Sequence, residues 1–565
     1  MIQGTARKPI IRQFRLVALL WIALLTGACH NSTPPSSAIA SAHPVATEAG
    51  LEILEAGGNA FDAAVAVSAT LAVVEPYSSG LGGGGFWLLH EADSGRNIMI
   101  DGRERAPLQA HRDMYLDEKG EVIEGLSVDG PLAAGIPGEP AALVHLAEHY
   151  GRLPLAQSLA PAIRAARNGF EVTPHYQRMA RFRLEVLRRY PAAARTFLVN
   201  NDVPPLKHII RQPDLADTLE RLAGEGLDGF YRGELADKLV EGTRAAGGNW
   251  TRADLTEYQI VEREPITGSY GDYRIISAAP PSSGGVALVT MLNILEEYDL
   301  AHRPAVERKH LIIEAMRRAY RDRAEYLGDP EFVEMDIQRL TSKAYAAQLR
   351  QSIQIEQASD SHLLPPATTS EEGNDTSHFS ILDREGNRVA ATLSINYPFG
   401  SGFMPPGTGV LLNDEMDDFS AKPGEPNVYG LVGAEANAIE PGKRMLSSMS
   451  PTFVEHEDRV AILGTPGGSR IITMVLHGIL GFVEGQDARG IVSLPRYHHQ
   501  YLPDQVQYEP GAIPVEQQLG LANLGHVLTE LNSSYGNMQL VIWDRPGKQV
   551  DGASDPRGEG MASVR

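Results

Sequence analysis

Cysteine is nearly absent: Cys29 is the only one in 565 residues. A lone thiol cannot close an intramolecular disulfide, so the fold must hold without one. Basic residues are outnumbered, 50 Lys and Arg against 71 Asp and Glu, for a formal net charge of −21. That balance argues against nucleic acid or an anionic lipid surface as ligand. Residues 131–350 contain no metal-ligand spacing. The adjacent His498 and His499 would point to opposite faces of a strand, which argues against a shared ion. No metal or cofactor is expected. The run Ser79-Gly80-Leu81-Gly82-Gly83-Gly84-Gly85 lacks the Lys-Ser/Thr of a phosphate loop. The strand-like Phe86-Trp87-Leu88-Leu89 follows it where such a loop needs a helix. Glycines here suit close backbone packing instead. There is no internal repeat, and the length allows one large α/β unit or two domains.

The N-terminus reads as an export signal over residues 1–28. Arg7, Lys8, Arg12 and Arg15 precede an apolar run at 16–25, too short for a comfortable membrane span. Thr26-Gly27-Ala28 then leads to Cys29, the pattern of a bacterial lipoprotein cleavage box in which the Cys is lipidated. A plain secretory signal with an incidental Cys is the alternative. Residues 29–43 would be a flexible tether. His30 after the Cys favours the outer membrane, so the expected place is the periplasmic side of a bacterial envelope.

Further along, residues 45–55 predict a helix ended by Gly57-Gly58. Asn59 and Asp62 can cap the next one, 60–74, which is almost wholly apolar and so should be buried on all sides. The apolar strand 98–101 delivers Arg103. Residues 131–350 read as mostly helical scaffold.

The stretch beginning at Thr376 differs from all this. It follows a polar, turn-rich segment at 355–373. Phe379 and Ile381 alternate with Ser380 and Leu382. Asp383-Arg384-Glu385-Gly386-Asn387 is a turn signal, after which Val389, Ala391, Leu393 and Ile395 alternate with Thr392, Ser394 and Asn396. A hairpin centred near Glu385 sets position 376 opposite 394, gathering Thr376, Ser394 and Asn396 at one end. A threonine hydroxyl needs a base, and one solution is to make it a chain N-terminus whose α-amine takes the proton. That requires a cut between Asp375 and Thr376. Taken alone, the stretch reads better as a linker followed by an ordinary hairpin.

Its surroundings decide otherwise. Thr376-Ser377-His378-Phe379-Ser380, Gly386-Asn387, Asn396, Phe399-Gly400, Leu411-Leu412-Asn413 and Met416-Asp417-Asp418-Phe419-Ser420 resemble the gamma-glutamyltransferase family in order and spacing. The similarity runs from about residue 44 to the end. It implies an α/β N-terminal-nucleophile fold, a four-layer αββα sandwich forming one domain from two self-processed subunits, 44–375 and 376–565. It makes Thr376 the nucleophile, Gly467 and Gly468 the oxyanion hole, and Ser394 a support for the Thr376 hydroxyl. Arg103, Ser447 and Ser448 would take the substrate α-carboxylate, and Asn396, Glu415 and Asp418 its α-amino group. Tyr429 would tip a lid at 421–443. Many bacterial relatives have Gln in place of Glu415, and many have Thr in place of Ser394. The blocks at 134–139, 280–285, 320–330 and 552–557 also resemble the family and read as scaffold.

The implied activity is cleavage of gamma-glutamyl amides such as glutathione through a gamma-glutamyl-Thr intermediate, with transfer to amino acids, peptides or water. Implied partners are those small molecules and the two subunits of one precursor, with membrane contact only through a lipid anchor. Two rivals are an acylase of the same fold acting on β-lactam side chains, and an uncleaved lipoprotein that binds amino acids or peptides without chemistry. The lid and the paired glutamyl-binding groups count against the first. Thr376, Gly467 and Gly468 count against the second.

Overall fold

Strand Ser377–Leu382 pairs antiparallel with Arg388–Ser394, Ser377 opposite Leu393. One step further, Thr376 comes level with Ser394, the expected register. Asp383 closes the turn, its Oδ1 accepting the N–H groups of Glu385 and Asn387, both at 2.9 Å. Its Oδ2 accepts the N–H of Ala60 at 3.0 Å, tying the turn to the start of helix Ala60–Val74. These relations come from a computed structural model that describes Met1, residues 33–363 and residues 376–565. The signal segment, Cys29 and Asp375 lie outside the described residues.

Around the hairpin lies a seven-stranded antiparallel sheet in the order Met561–Val564, Ala38–Ser41, Ser377–Leu382, Arg388–Ser394, Gly84–His90, Asn97–Gly102 and Val261–Arg263. A second, six-stranded antiparallel sheet runs Gln549–Ser554, Gln539–Asp544, Arg459–Gly464, Thr452–Glu455, Tyr273–Ser277 and Ile266–Tyr270. The two sheets face each other. Helices Pro44–Glu55, Ala60–Val74 and Leu155–Asn168 stack outside the first, and Gly284–Leu295 and Ile471–Val483 outside the second. This is the αββα sandwich, held within residues 34–565.

Strand alternation sorts the two cores. Phe379, Ile381, Val389, Ala391 and Leu393 pack toward the helices. His378, Ser380 and Thr392 face the second sheet: His378 Nδ1 lies 2.8 Å from Thr392 Oγ1, and Ser380 Oγ donates to the Gln539 carbonyl at 3.1 Å. A Cβ on Gly464 would fall 2.2 Å from the His378 ring, so only glycine lets the sheets approach there. Every residue of helix Ala60–Val74 is buried, and Asn59 and Asp62 form the capping box at its start.

The middle of the chain is less helical than its pattern predicts. Val261–Arg263, Ile266–Tyr270 and Tyr273–Ser277 are strands. The missed signal is Gly271-Asp272, a two-residue hairpin loop joining the paired Tyr270 and Tyr273. His498 and His499 hold different partners, Thr473 and Gln500 for the first and Asp504 for the second.

Glu139 opens helix Glu139–His149 with no solvent exposure. Burial pushes its carboxyl up to about 8, against a backbone hydrogen bond from Gly80. The folded chain thus holds this proton at pH values where the unfolded chain has lost it. The linked stability is complete below the ordinary glutamate range and is lost as pH rises toward 8. Glu139→Gln should therefore raise the melting temperature at pH 8 by about 2 °C, with the gap closing toward pH 5. Calorimetry at the two pH values checks this.

Candidate active site

Thr376 is buried at the head of its strand and lines two cavities at once. On one side is a narrow space of about 20 Å³, bounded by Arg103, Ser394, Asn396, Glu415, Asp418 and Tyr429 among others. On the other is a wide one of about 420 Å³. The narrow space also touches Ser447, Ser448 and Gly468, and the wide one Gly467. Every described residue that the sequence reading assigned to the site therefore lines one cavity or both.

Arg103 leaves the end of strand Asn97–Gly102 and is 1% exposed. Its Nη1 lies 3.0 Å from Glu415 Oε1 and its Nη2 2.5 Å from Asp418 Oδ2, while Nε donates to the Met445 carbonyl at 3.2 Å. Glu415 and Asp418 reach it together because 415–418 is a single 3₁₀ turn, which puts residues three apart on one face. Asp417, on another face, accepts from Ser127 at 2.7 Å and from the N–H of Val428 at 2.9 Å. Ser394 Oγ accepts the N–H of Asn396 at 2.8 Å and also bonds Glu415. Asn396 sits at φ +72° and donates from Nδ2 to the Asp414 carbonyl at 3.0 Å. Ser447 Oγ accepts the N–H of Met449 at 3.1 Å, and Ser448 Oγ accepts from Arg323 Nη2 at 3.4 Å.

Charge in this pocket is not balanced pairwise. Glu104 adds a third carboxylate, 3.6 Å from Arg103 Nη1. Burial opposes the Arg103 charge, but Glu415, Asp418 and Glu104 outweigh it and hold the guanidinium above the ordinary arginine range. Burial, resisted by Arg103 and reinforced by Asp418, pushes Glu415 up to about 7. Burial and then Glu415 push Glu104 well above the usual carboxylate range, so it is the acid that keeps its proton. Across the strand head, burial pushes Glu75 up to about 7, against a 2.6 Å hydrogen bond from Ser377 Oγ. Sequence reasoning missed both residues. Glu104 stands beside Arg103 in the run Arg103-Glu104-Arg105. Glu75 is the first charge after Asp62 in a long apolar stretch, a usable sign of a buried acid.

Gly467 and Gly468 form the turn between strand Arg459–Gly464 and helix Ile471–Val483, at φ +141° and +53°. Both values fall where side chains are strained, so the turn demands glycine. A hydroxyl at a strand head, an ion-paired pocket and a glycine turn with backbone N–H groups form an acyl-transfer arrangement. Comparison with known proteins agrees. The gamma-glutamyltranspeptidase family model matches residues 46–565.

The chain belongs to the gamma-glutamyltranspeptidase family.

It is 44% identical over 534 residues to the glutathione hydrolase proenzyme of Pseudomonas sp. strain A14, covering 92% of each chain. Against the Escherichia coli K12 glutathione hydrolase proenzyme the identity is 40% over 564 residues, covering 95% of this chain and 96% of the relative. Among solved structures, cephalosporin acylase from Bacillus halodurans superposes with a TM-score of 0.82 at 29% identity, over 95% of this chain and 98% of the other.

The blocks read as scaffold strap the pocket loops together. Asn413 Nδ2 donates to the carbonyls of Gly82 at 2.6 Å and Gly135 at 2.8 Å. Ser283 donates from both its N–H and its Oγ to the Ser447 carbonyl, and Arg323 donates to Ser283 Oγ at 3.1 Å. Tyr320 OH donates to the Ser469 carbonyl beside the glycine turn. Loop 421–443 lies closed over the pocket: Tyr429 OH donates to the Asn396 carbonyl at 2.7 Å, and Asn427 Nδ2 to Asp418 Oδ1 at 3.2 Å.

A Cβ on Gly468 would lie 2.6 Å from the Tyr429 ring. Gly468→Ala should displace both the turn and the loop, lowering kcat for a gamma-glutamyl anilide by about 10²-fold while the fold persists. Steady-state kinetics beside circular dichroism check this.

Proposed function

We propose that this chain is a self-processing gamma-glutamyl hydrolase and transferase whose nucleophile is Thr376. The observation that carries the reading is the position of Thr376 at the junction of a pocket matched to a zwitterion and a wider cavity. An α-amino acid head group brings one ammonium and one carboxylate. Glu415 and Asp418, with Asn396, offer the first a site. The Arg103 fork, with Ser447 and Ser448, offers the second a planar pair of donors. Inserting the head group between Arg103 and its acids would exchange the Arg103–Glu415 and Arg103–Asp418 pairs for pairs with the ligand's carboxylate and ammonium.

In the precursor, the Thr376 hydroxyl attacks the Asp375 carbonyl. The C–N bond breaks, the nitrogen takes the proton, and water opens the resulting ester. This frees the Asp375 carboxylate and the Thr376 α-amine and leaves subunits 44–375 and 376–565 associated. In the mature enzyme that amine accepts the hydroxyl proton as Oγ1 attacks the γ-carbonyl. The N–H groups at Gly467 and Gly468 hold the oxyanion, each such donor being worth about 3–4 kcal/mol. The leaving amine takes a proton and departs, and an amino acid, a peptide or water then accepts the glutamyl group. Ser394 steadies the hydroxyl. The likeness to cephalosporin acylase raises a second reading, but the closed loop and the paired head-group partners favour a small glutamyl donor.

Three variants test this. Thr376→Ala should remain one chain without activity. Thr376→Ser should cleave slowly and keep part of the activity. Ser394→Ala should lose far less, since it removes a supporting hydrogen bond worth about 1 kcal/mol. Gels and rate assays read all three, and a Thr376→Ala chain that still splits would sink the nucleophile assignment.

We further propose export and lipid anchoring at Cys29, from the N-terminal sequence. No described helix is long and apolar enough to cross a membrane. Cys29→Ser should block lipoprotein processing and release the protein from the membrane fraction. Unaltered processing and partition of Cys29→Ser would argue against lipidation.

A further inference from the structure

The glutamyl group uses only the narrow side of Thr376, so the wide cavity needs its own account. Gly467 lines the wide cavity and Gly468 the narrow one. The turn that would hold the reacting carbonyl thus stands on the boundary between them. A donor with its head group at Arg103 and its carbonyl at this turn directs its leaving amine into the wide cavity. About 420 Å³ falls in the range that holds a small organic ligand.

The charges in the wide cavity are unequal. Two guanidinium groups line it, Arg557 and Arg178. Arg557 is neutralised: Nε and Nη2 reach the two Glu509 oxygens at 2.6 and 2.8 Å, and Nη1 reaches Asp555 Oδ1 at 3.1 Å. Arg178 has no carboxylate within ion-pairing distance among the described residues. Its Nη2 donates to His175 Nδ1 at 2.8 Å, one turn back on helix Pro174–Phe182. Burial and then Arg178 push that imidazole down to about 4, so His175 is neutral and leaves the Arg178 charge uncompensated. Of the two acids lining the cavity, both have a hydrogen-bond donor, but Glu559 Oε2 is buried without one. Glu75 accepts from Ser377 and Tyr77, and Glu559 Oε1 accepts the N–H of His175 at 3.1 Å. Arg178 is exposed at the rim, with its remaining donors open to a ligand.

With the wide cavity taken as the side of the departing or incoming peptide, we infer that Arg178 takes that peptide's terminal carboxylate. The inference rests on the gamma-glutamyl reading above. It names the ligand class as a short peptide or amino acid with a free carboxylate, placed with its amine at Thr376 and its acid end at the rim. Glutathione, whose leaving group is a dipeptide acid, fits this description, and a neutral leaving group gains nothing from Arg178.

The test compares glutathione with glutathione amidated at its C-terminal carboxylate, as donors for wild type, Arg178→Ala, Arg178→Lys and Arg178→Glu. Wild type should favour the acid over the amide in kcat/KM by about tenfold, the scale of one charge-assisted hydrogen bond. Arg178→Ala should bring the ratio near one, Arg178→Lys should keep part of it, and Arg178→Glu should invert it. Using a ratio separates carboxylate recognition from any general loss of activity. An acid-to-amide ratio in Arg178→Ala equal to that of wild type overturns the assignment. A wild type that releases glutamate from neither donor overturns the gamma-glutamyl reading, and this inference with it.

Discussion

A guanidinium buried among three carboxylates is the constraint around which the pocket is built. Arg103 is 1% exposed, and its partners arrive from Glu104 beside it, from the 415–418 turn and from the Met445 carbonyl. An ion at this depth costs several kcal/mol unless its partners are in place, so the loops carrying those partners have to converge. Asn437 helps bring them together, donating to the Asp418 carbonyl at 2.7 Å and accepting the N–H of Leu446 at 3.0 Å. Three acids around one base exceed what the site can hold ionised, which is why Glu104 keeps its proton. The cluster resembles the two ends of an amino acid head group, and that match gives the pocket its chemical meaning.

The second constraint is the strand end that presents Thr376. The strand it heads is paired on both sides, by Ala38–Ser41 and Arg388–Ser394, so its backbone cannot shift without disturbing the centre of the fold. Arg103 and Glu75 precede Thr376 in the chain, whereas Ser394, Glu415, Asp418 and the glycine turn follow it. Neither side of the proposed cut contains a complete site. Separation of the two halves would take Glu415 and Asp418 from the buried Arg103, a physical reason for the pair to stay associated.

Access is the third element. In this conformation the glutamyl side has room for about one water molecule, because Tyr429 packs against Gly468 and bonds the Asn396 carbonyl. The loop is held by hydrogen bonds, including Gln500 Nε2 to the Gly430 carbonyl at 3.0 Å, and by Tyr429, Leu431 and Val432, which are buried in the main core. The wide cavity needs no such cover, so a leaving group and an acceptor can exchange through it.

Much of this was legible in the chain itself. The two-residue alternation on either side of the Asp383–Asn387 turn determined the hairpin and its register, because only one pairing puts Phe379, Ile381, Val389, Ala391 and Leu393 on one face. The almost wholly apolar run at 60–74 determined a helix buried on every side, and Gly467-Gly468 ahead of Ile471 determined a turn into the helix. Of the strands at 261–277, Val261–Arg263 and Ile266–Tyr270 were missed because they are short edge strands with no fully buried residue, and Tyr273–Ser277 because it is only five residues long. Only the tertiary structure decided that Glu104 joins Arg103 in the pocket, that Glu75 reaches Ser377, and that Arg178 is left without an acid. Those facts depend on which loops converge in space. Local periodicity specifies the elements and their buried faces, but it contains no information on which distant charges end as neighbours.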